Sequence, residues 1–410
     1  MILNGIMAAL AVLSFAITLW QWVVARRFPI HGRATDLSFA PAVTVLKPLK
    51  GCDEFTEACL RSLFTQDYPG EMEVLFLVAG ADDPVCSIVE KLRNEFPQCD
   101  CRLVICAERL GANDKVSKLA QVERRAKHEI IVVSDADVSV PRDFLANAVA
   151  PLRDEKVGLV SCFYRLANPG TVAMQIEAVA INADFWSQVL QSQSLKPLDF
   201  ALGAAMVTRR KQLAEIGGFG SLVDCLADDY QLGRRIAKRG HRIELCPVVV
   251  ECWLPRMYFL DVWRHQLRWA RTIRVCQPWL YFVSIVNNAT LWPLLWMAVN
   301  LSDIRILDFF ESPFSLLAAP VQVEGVMVGG GFAFPAGMVI GSIFILTRTI
   351  LAVNLANRLT RSQATANYFW LVPVKDLIQF VLWICAFTGN TVEWRGEKFQ
   401  ARSDGTIVSR

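Results

Sequence analysis

Ile130-Ile-Val-Val-Ser-Asp-Ala-Asp137 is the stretch on which the reading of this chain turns. Four large apolar residues and a serine in succession read as a strand buried on both faces, with two carboxylates just past its end. There Asp135 and Asp137 can reach one cation. A divalent ion takes hard oxygens of this kind and fills its remaining positions with water and phosphate oxygens. Asp is also common in turns and helix caps, so the pair takes its meaning from its surroundings.

Those surroundings alternate between short apolar strands and helices. Val43 to Leu46 reads as a strand, Phe55 to Phe64 as a helix, Glu73 to Val78 as a strand and Val85 to Phe96 as a helix. Arg102 to Cys106 reads as a strand, Lys118 to Ala126 as a helix and Glu129 to Ser134 as a strand. Such alternation predicts an α/β domain over residues 40–277, with a largely parallel sheet and ligands at the carboxyl ends of its strands.

The full chain has 410 residues, 53% of them hydrophobic, which is more apolar than a soluble enzyme needs. The excess sits at the ends. Ile2 to Val24 is long enough to cross a hydrocarbon core, with Trp20 and Trp22 near one interface and Arg26 and Arg27 beyond it. Residues 1–27 therefore read as a transmembrane anchor, since a cleaved leader carries its charges before the apolar run. Residues 278–410 read as a C-terminal membrane region with a basic tail. Trp279 to Leu301 and Val326 to Leu346 are the expected spans, joined by a link bearing Asp303, Asp308, Glu311 and Glu324 and followed by Arg348, Arg358 and Arg361. Phe369 to Phe387 holds Pro373, Lys375 and Asp376, and reads as an interfacial or re-entrant helix, with a further span as the alternative. The positive-inside rule then puts the α/β domain in the cytosol, at a bacterial inner membrane or a Golgi-type membrane. Twelve cysteines without zinc-type spacing fit that reducing compartment. A net charge of +3 is too small to argue for nucleic acid.

Three further elements carry chemistry. Asp82-Asp83-Pro84 follows a strand end, where Asp83 can accept from a base or ribose and can also cap the next helix. Asp228-Asp229-Tyr230 opens a helix ending at Gly240; one of its two acids can take the proton of an acceptor hydroxyl, its pKa raised by its neighbour and an apolar setting. Arg264, Arg268 and Arg271 share one helix face at i, i+4 and i+7, which suits a diphosphate, and Trp269 can stack on a sugar or floor an acceptor pocket. A membrane-surface helix has the same composition.

With these residues in hand, the chain resembles the ceramide glucosyltransferase-like family of GT-A membrane glycosyltransferases over most of its length. The resemblance is carried by Leu46-Lys-Pro-Leu-Lys-Gly51, Asp67-Tyr-Pro69, Asp82-Asp-Pro84, residues 111–119 with Lys115, Asp135, Lys156-Val-Gly-Leu-Val160, Ala227-Asp-Asp-Tyr230, Arg239-Gly240 and Arg268-Trp269. It implies a GT-A, Rossmann-like cytosolic domain with transmembrane helices at both ends. It further implies that Asp83 and Asp135 are the first two family aspartates, that Asp229 is the third and the base, and that His265 to Trp269 is the (Gln/Arg)-x-x-Arg-Trp element. Two positions depart from the family: His265 stands at the Gln/Arg site, and Asp137 completes an Asp-x-Asp. The tail Val392-Glu-Trp-Arg-Gly396 is family-like as well, which favours a tail near the active site. Bacterial relatives include hopanoid glycosyltransferases that transfer N-acetylglucosamine to a polycyclic polyol.

The expectation is thus an inverting transfer from a UDP-sugar to a membrane lipid, glucose to ceramide first and N-acetylglucosamine to a hopanoid as the alternative. Asp229, Arg268 and Trp269 are the catalytic candidates. Lys47, Asp83, Lys115, Asp135, Asp228, Arg264, His265 and Arg271 are the substrate-binding ones, and Asp135 with Asp137 would hold Mn²⁺ or Mg²⁺. The partners are the UDP-sugar, the lipid acceptor and the bilayer. A polysaccharide synthase would need more spans, and a silent lipid-binding scaffold would tolerate loss of Asp135 and Asp229.

Overall fold

The structure, a computed structural model, describes residues 2–303, 321–323, 326–328, 336–363, 367–394, 397–402 and 404–409. The N-terminal helix α1 (Ile2–Arg27) is followed by β1 (Val43–Pro48), α2 (Thr56–Phe64), β2 (Met72–Val78), α3 (Val85–Glu95), β3 (Asp100–Ile105), α4 (Asp114–Val122) and β4 (Ile130–Ser134). Next come β5 (Val138–Ser139), α5 (Phe144–Val149), β6 (Val157–Leu166), α6 (Val172–Val179) and α7 (Trp186–Leu195), the last two joined by a π-helical turn at Ala180–Phe185. The domain closes with β7 (Ala205–Arg209), α8 (Arg210–Glu215), α9 (Asp228–Lys238), β8 (Arg242–Cys252) and α10 (Phe259–Cys276).

Eight strands form one sheet in the order β3-β2-β1-β4-β7-β6-β8-β5. The first four are parallel, as the alternation predicts, with Val45 opposite Val74 on one side and Val132 on the other. Beyond β4 the sheet becomes mixed: β6 and β8 pair in parallel, but β7 runs antiparallel to both β4 and β6, and β5 antiparallel to β8. Every residue of β4 is buried, because helices cover both faces of the sheet. Leu46, Leu75, Ile131 and Val133 pack to one face with Val116, Leu119 and Leu190, while Val45, Val74, Phe76 and Val132 pack to the other with Leu60, Leu63 and Phe144. The residues alternate between faces because strand side chains do. Helix α4 begins four residues before the expected Lys118, because the Asn113 side chain caps it by accepting from the Val116 amide.

Among the described residues two helices are long and apolar enough to cross a membrane, α1 and α13 (Ala336–Thr360). Between them lie α11 (Pro278–Val283), α12 (Leu291–Asp303) and a small hairpin, β9 (Val321–Val323) with β10 (Val326–Val328). The expected span Trp279 to Leu301 is a pair of segments, Pro278–Asn287 and Leu291–Leu301, bent by 52°, which makes a third crossing only if the pair counts as one. The expected span Val326 to Leu346 is displaced to Ala336–Thr360. Arg348 and Arg358 lie inside that helix and not in a loop after it. Arg348 does not end the helix because it is buried against Asp184 and Asp376. The link charges Asp308, Glu311 and Glu324 lie outside the described residues.

Helices α1 and α13 both run toward the sheet domain. His31 Nε2 lies 2.9 Å from the Leu359 carbonyl at that end, Phe15 stacks on Phe344 at mid-length, and Asn4 at the far end of α1 accepts from Trp296 of α12. Helix α14 (Leu371–Phe387) has Pro373 in its first turn, where proline is tolerated, and turns Lys375 and Asp376 inward. It packs on α6 and α10 of the domain. The chain then forms a three-stranded sheet of β11 (Thr391–Trp394), β12 (Glu397–Ala401) and β13 (Ile407–Ser409), which lies against the start of α9. The Ile407 amide donates to the Asp224 carbonyl, the Leu226 amide donates to that of Gly405, and Val392, Phe399 and Ile407 bury Leu226 and Val275.

Candidate active site

Beneath the Asp135–Asp137 turn lies Lys47, a lysine enclosed in the sheet with no solvent exposure. Its Nζ donates to Ser134 Oγ at 3.0 Å and to the Val138 carbonyl at 2.8 Å, and so grips the chain on both sides of the acidic pair. Burial lowers its pKa to about 8, against the pull of Cys59, Asp137 and Asp135. Lys47, expected among the substrate-binding residues, is enclosed under the turn and supports it from within. From outside, the turn is held by the Asp135 amide donating to the Ala204 carbonyl and the Trp253 amide donating to that of Asp137.

Lys115, on α4, joins the two acidic elements. Its buried Nζ stands 2.7 Å from Asp135 Oδ1 and 3.1 Å from Asp228 Oδ2. Desolvation pulls its pKa down, but the charges of Asp135 and Asp228 outweigh that and hold it above the ordinary lysine value. Asn113 fixes the same junction, its Nδ2 donating to the Cys225 carbonyl at 2.9 Å and lying 3.4 Å from Asp228 Oδ1.

Asp229 stands beside this junction in the first turn of α9. Burial first, and then the neighbouring charge of Asp228, raise its pKa to about 6, opposed by Lys115 and the Tyr230 amide. Space for its carboxylate exists because residue 203 is glycine: a Cβ there would meet Asp229 Oδ2 at 2.8 Å. Gly233, one turn later, lets α9 lie on the Phe200–Ala201 backbone, where a Cβ would come within 2.4 Å of the Ala201 nitrogen. The Leu202-Gly-Ala-Ala205 segment is thereby wedged between Asp135 and Asp229.

Asp83 sits at the neighbouring strand ends. Both its oxygens accept from the Gly51 amide, at 3.1 and 3.0 Å, and Oδ1 also accepts from the Val85 amide at the start of α3. Gly51 has φ +68°, which glycine adopts without strain. The cap residue of α3 is Pro84, and these bonds to Gly51 and Val85 fix the Asp83 carboxylate at the strand ends.

The basic helix divides its labour. Arg271 donates to the Thr391 carbonyl and Arg274 to the Gly389 carbonyl and Asn390 Oδ1. Arg271, expected to share a diphosphate-binding face with Arg264 and Arg268, here turns its guanidinium to the C-terminal sheet. Arg264 is exposed and lies 4.0 Å from Glu393. His265 and Trp269 face the domain, with ring centroids 4.7 Å apart, and Trp269 meets Phe185, which meets Tyr164. His265 Nδ1 lies 2.6 Å from Oε1 of Glu177 on α6.

Tyr164 marks where these parts converge. Burial, and after it the charges of Cys252, Asp229, Glu177 and Asp135, hold its phenol well above the ordinary value. Tyr164 and Glu177 escaped the reading of the sequence. For Glu177 a signal existed: it is a lone acid in the apolar run Val172–Val179.

A divalent cation fits the donor set at the turn. Asp135 and Asp137 offer hard oxygens at the edge of the sheet, and among the described residues no third His, Cys, Asp or Glu joins them in a metal-binding group. The protein would supply two side-chain ligands and leave the remaining positions to phosphate and water, as Mg²⁺-type sites do.

A family model described as glycosyl transferase family 21 matches residues 6–311 and 309–407. Ceramide glucosyltransferase 3 of Caenorhabditis elegans is 26% identical over 219 residues, 53% of this chain and 47% of the relative. The ceramide glucosyltransferase of Komagataella phaffii is 34% identical over 114 residues, 27% of this chain and 22% of the relative. A beta-monoglucosyldiacylglycerol synthase of Trichormus variabilis is 27% identical over 246 residues, 59% of this chain and 51% of the relative. The chain thus spans about half the length of these curated relatives, or less. Among solved structures, a mannosyltransferase of Pyrobaculum calidifontis in complex with GDP-mannose and Mn²⁺ is 22% identical, with a TM-score of 0.52, covering 94% of this chain and 98% of that one. At that identity the likeness speaks to the fold alone.

Proposed function

The chain belongs to glycosyl transferase family 21, and from that premise we propose that it moves glucose from UDP-glucose to the hydroxyl of a membrane lipid, ceramide foremost. It is a glycosyltransferase, with the GT-A fold implied by the resemblance and a mixed sheet. The acceptor and donor belong to the proposal, supported by relatives that act on ceramide and diacylglycerol.

The observation that carries the mechanism is the Lys115 bridge, which holds Asp135 and Asp228 in one assembly with Asp229 beside it. At neutral pH a carboxylate titrating at about 6 is mostly ionised yet still basic enough to accept a proton, which suits a general base. In our proposal Asp229 takes the acceptor proton as the hydroxyl oxygen bonds to the sugar's anomeric carbon. The bond from that carbon to the diphosphate breaks in the same step, and UDP leaves with the electron pair. One displacement inverts the anomeric centre. Asp135 and Asp137 would hold Mn²⁺ or Mg²⁺, a charge that stabilises the departing diphosphate. Lys115 and Asp83 seat the nucleotide, Arg268 meets the diphosphate, and His265 and Trp269 border the acceptor. Arg26 and Arg27 at the domain end of α1 favour a cytosolic catalytic domain.

The test is sugar transfer by purified protein with Mn²⁺ or Mg²⁺, crossing UDP-glucose and UDP-N-acetylglucosamine against ceramide, diacylglycerol and a hopanoid polyol. Glucosylceramide formation that Asp229→Asn abolishes is the expected result. Transfer of N-acetylglucosamine to the polyol would move the acceptor and donor but keep the chemistry. No transfer at all, or an Asp229→Asn variant as active as the parent, would refute the proposal.

A further inference from the structure

Glu177 is fully buried, yet only half of its carboxylate is used. Oε1 lies 2.6 Å from His265 Nδ1 and accepts from Gln266 Nε2 at 2.9 Å, while Oε2 has no hydrogen-bond partner among the described residues. A buried carboxylate oxygen without a donor is costly, and such groups are normally satisfied. Oε1 already has two partners, His265 and Gln266, so a further donor has to come to Oε2.

The room for that donor is a groove between α6, α10 and α14. Ile176, Val262, Trp263, Ile378 and Leu382 make its apolar walls, and Glu177, Gln266, Lys375 and Gln379 supply the polar groups. Helix α14 exposes Leu377, Val381 and Ile384 beside it, and Phe259 is exposed at the start of α10. The groove therefore adjoins surface suited to lipid. At its inner end the His265 ring meets Trp269, and Glu177 acts electrostatically on Tyr164 together with Asp229 and Asp135. Apolar walls with one unmatched acceptor fit the headgroup end of a lipid that brings a hydrogen-bond donor.

We infer that this groove receives the acceptor lipid and that Glu177 Oε2 accepts from a second donor on it, an amide N–H or a hydroxyl next to the one that reacts. This rests on the lipid-acceptor reading above and adds a selection rule to it. A lipid whose only donor is the reacting hydroxyl, such as diacylglycerol, leaves Oε2 unmet when it binds. Sites built around a polar partner reject ligands that lack it far more strongly than apolar pockets reject a missing methylene.

The experiment is equilibrium binding to the full chain in lipid nanodiscs without donor sugar, using a short-chain ceramide, its N-methyl analogue and its 3-deoxy analogue. One of the two analogues is expected to bind about tenfold more weakly than the parent ceramide, a loss the size of one buried hydrogen bond. Loss with the N-methyl compound locates the donor at the amide, and loss with the 3-deoxy compound locates it at the hydroxyl. Glu177→Gln, whose amide oxygen stays at the Oε1 site to accept from Gln266 and whose NH2 therefore takes the Oε2 site, should erase the discrimination. Equal binding of all three lipids to the parent protein overturns the inference without any variant, and so does a Glu177→Gln protein that still discriminates. Glycosyl transfer measured on the same nanodiscs separates the two proposals: discrimination without transfer refutes only the enzymatic reading, and transfer without discrimination refutes only the groove.

Discussion

Gly203 and Asp229 are in contact across two elements: a Cβ on Gly203 would stand 2.8 Å from Asp229 Oδ2. The carboxylate proposed as the base thus rests against bare backbone. Gly203→Ala should push it aside and lower kcat about a hundredfold, the cost of an error near 1 Å in a catalytic group. Circular dichroism and melting should show the fold retained, and an unchanged kcat would remove Asp229 from the reaction.

The raised pKa of Asp229 predicts both a rate profile and a stability profile. Activity should climb with pH through about 6 as the carboxylate forms, and Asp229→Asn should lose that limb together with about 10² to 10⁴ of the rate. The unfolded value is about 3.9, so the folded state holds this proton more tightly. The stability from it is complete below the unfolded pKa and is lost as pH rises through the folded one. Asp229→Asn should therefore melt higher than the parent at pH 8, with the margin shrinking at pH 5. A margin that grows toward pH 5 would reverse the assignment.

Lys47 bears on metal affinity through the turn it grips. Lys47→Met should loosen the Asp135–Asp137 turn and raise the Mn²⁺ concentration for half-maximal activity about 10- to 100-fold, the scale of losses from supporting residues. Direct Mn²⁺ binding followed by electron paramagnetic resonance should weaken in parallel. Unaltered binding would leave Lys47 a structural lysine only.

Arg271 should prove structural and Arg268 should not. Since Arg271 donates to the Thr391 carbonyl, Arg271→Ala should speed tryptic removal of the C-terminal sheet while the donor KM stays within about twofold. Arg268→Ala should reduce kcat while the tail stays protected. A large rise in donor KM for Arg271→Ala would return Arg271 to the diphosphate.

Asp184 in the π-helical turn meets Arg348 at 2.9 Å, and Lys375 and Asp376 complete a buried group of two acids and two bases that ties the domain to α13 and α14. Removing one member strands a buried charge, so Arg348→Met should cost about 3 to 5 kcal/mol in thermal unfolding. The charge-balanced pair Arg348→Met with Asp184→Asn should recover part of that loss. Additive losses would show that the four charges do not act as a unit.

Local signals in the chain made much of this visible. Short apolar runs marked β1, β2 and β4, and the acids that follow β2 and β4 placed Asp83, Asp135 and Asp137 near strand carboxyl ends, because buried parallel strands and strand-end sites both leave short-range patterns. The β6, β7 and β8 region, with its antiparallel pairings, left no such pattern, since the direction in which a strand enters a sheet is set by packing between distant segments. Charges misled in the membrane region for a related reason. Arg348 and Lys375 look like the ends of apolar segments until their partners are seen, and those partners lie 164 and 191 residues away at Asp184.

The sequence by itself determined which residue types are present for catalysis and where the N-terminal apolar helix lies, because strand burial, helix periodicity and span length are written within windows of about 20 residues. Only the tertiary structure decided that Lys47 lies beneath the turn, that Lys115 joins Asp135 to Asp228, that Arg271 serves the tail and that Glu177 faces a groove. Each of these depends on which atoms meet across the folded chain. Such meetings are fixed by close packing and by the need to pair buried polar groups, and neither requirement has a period that a linear sequence can display.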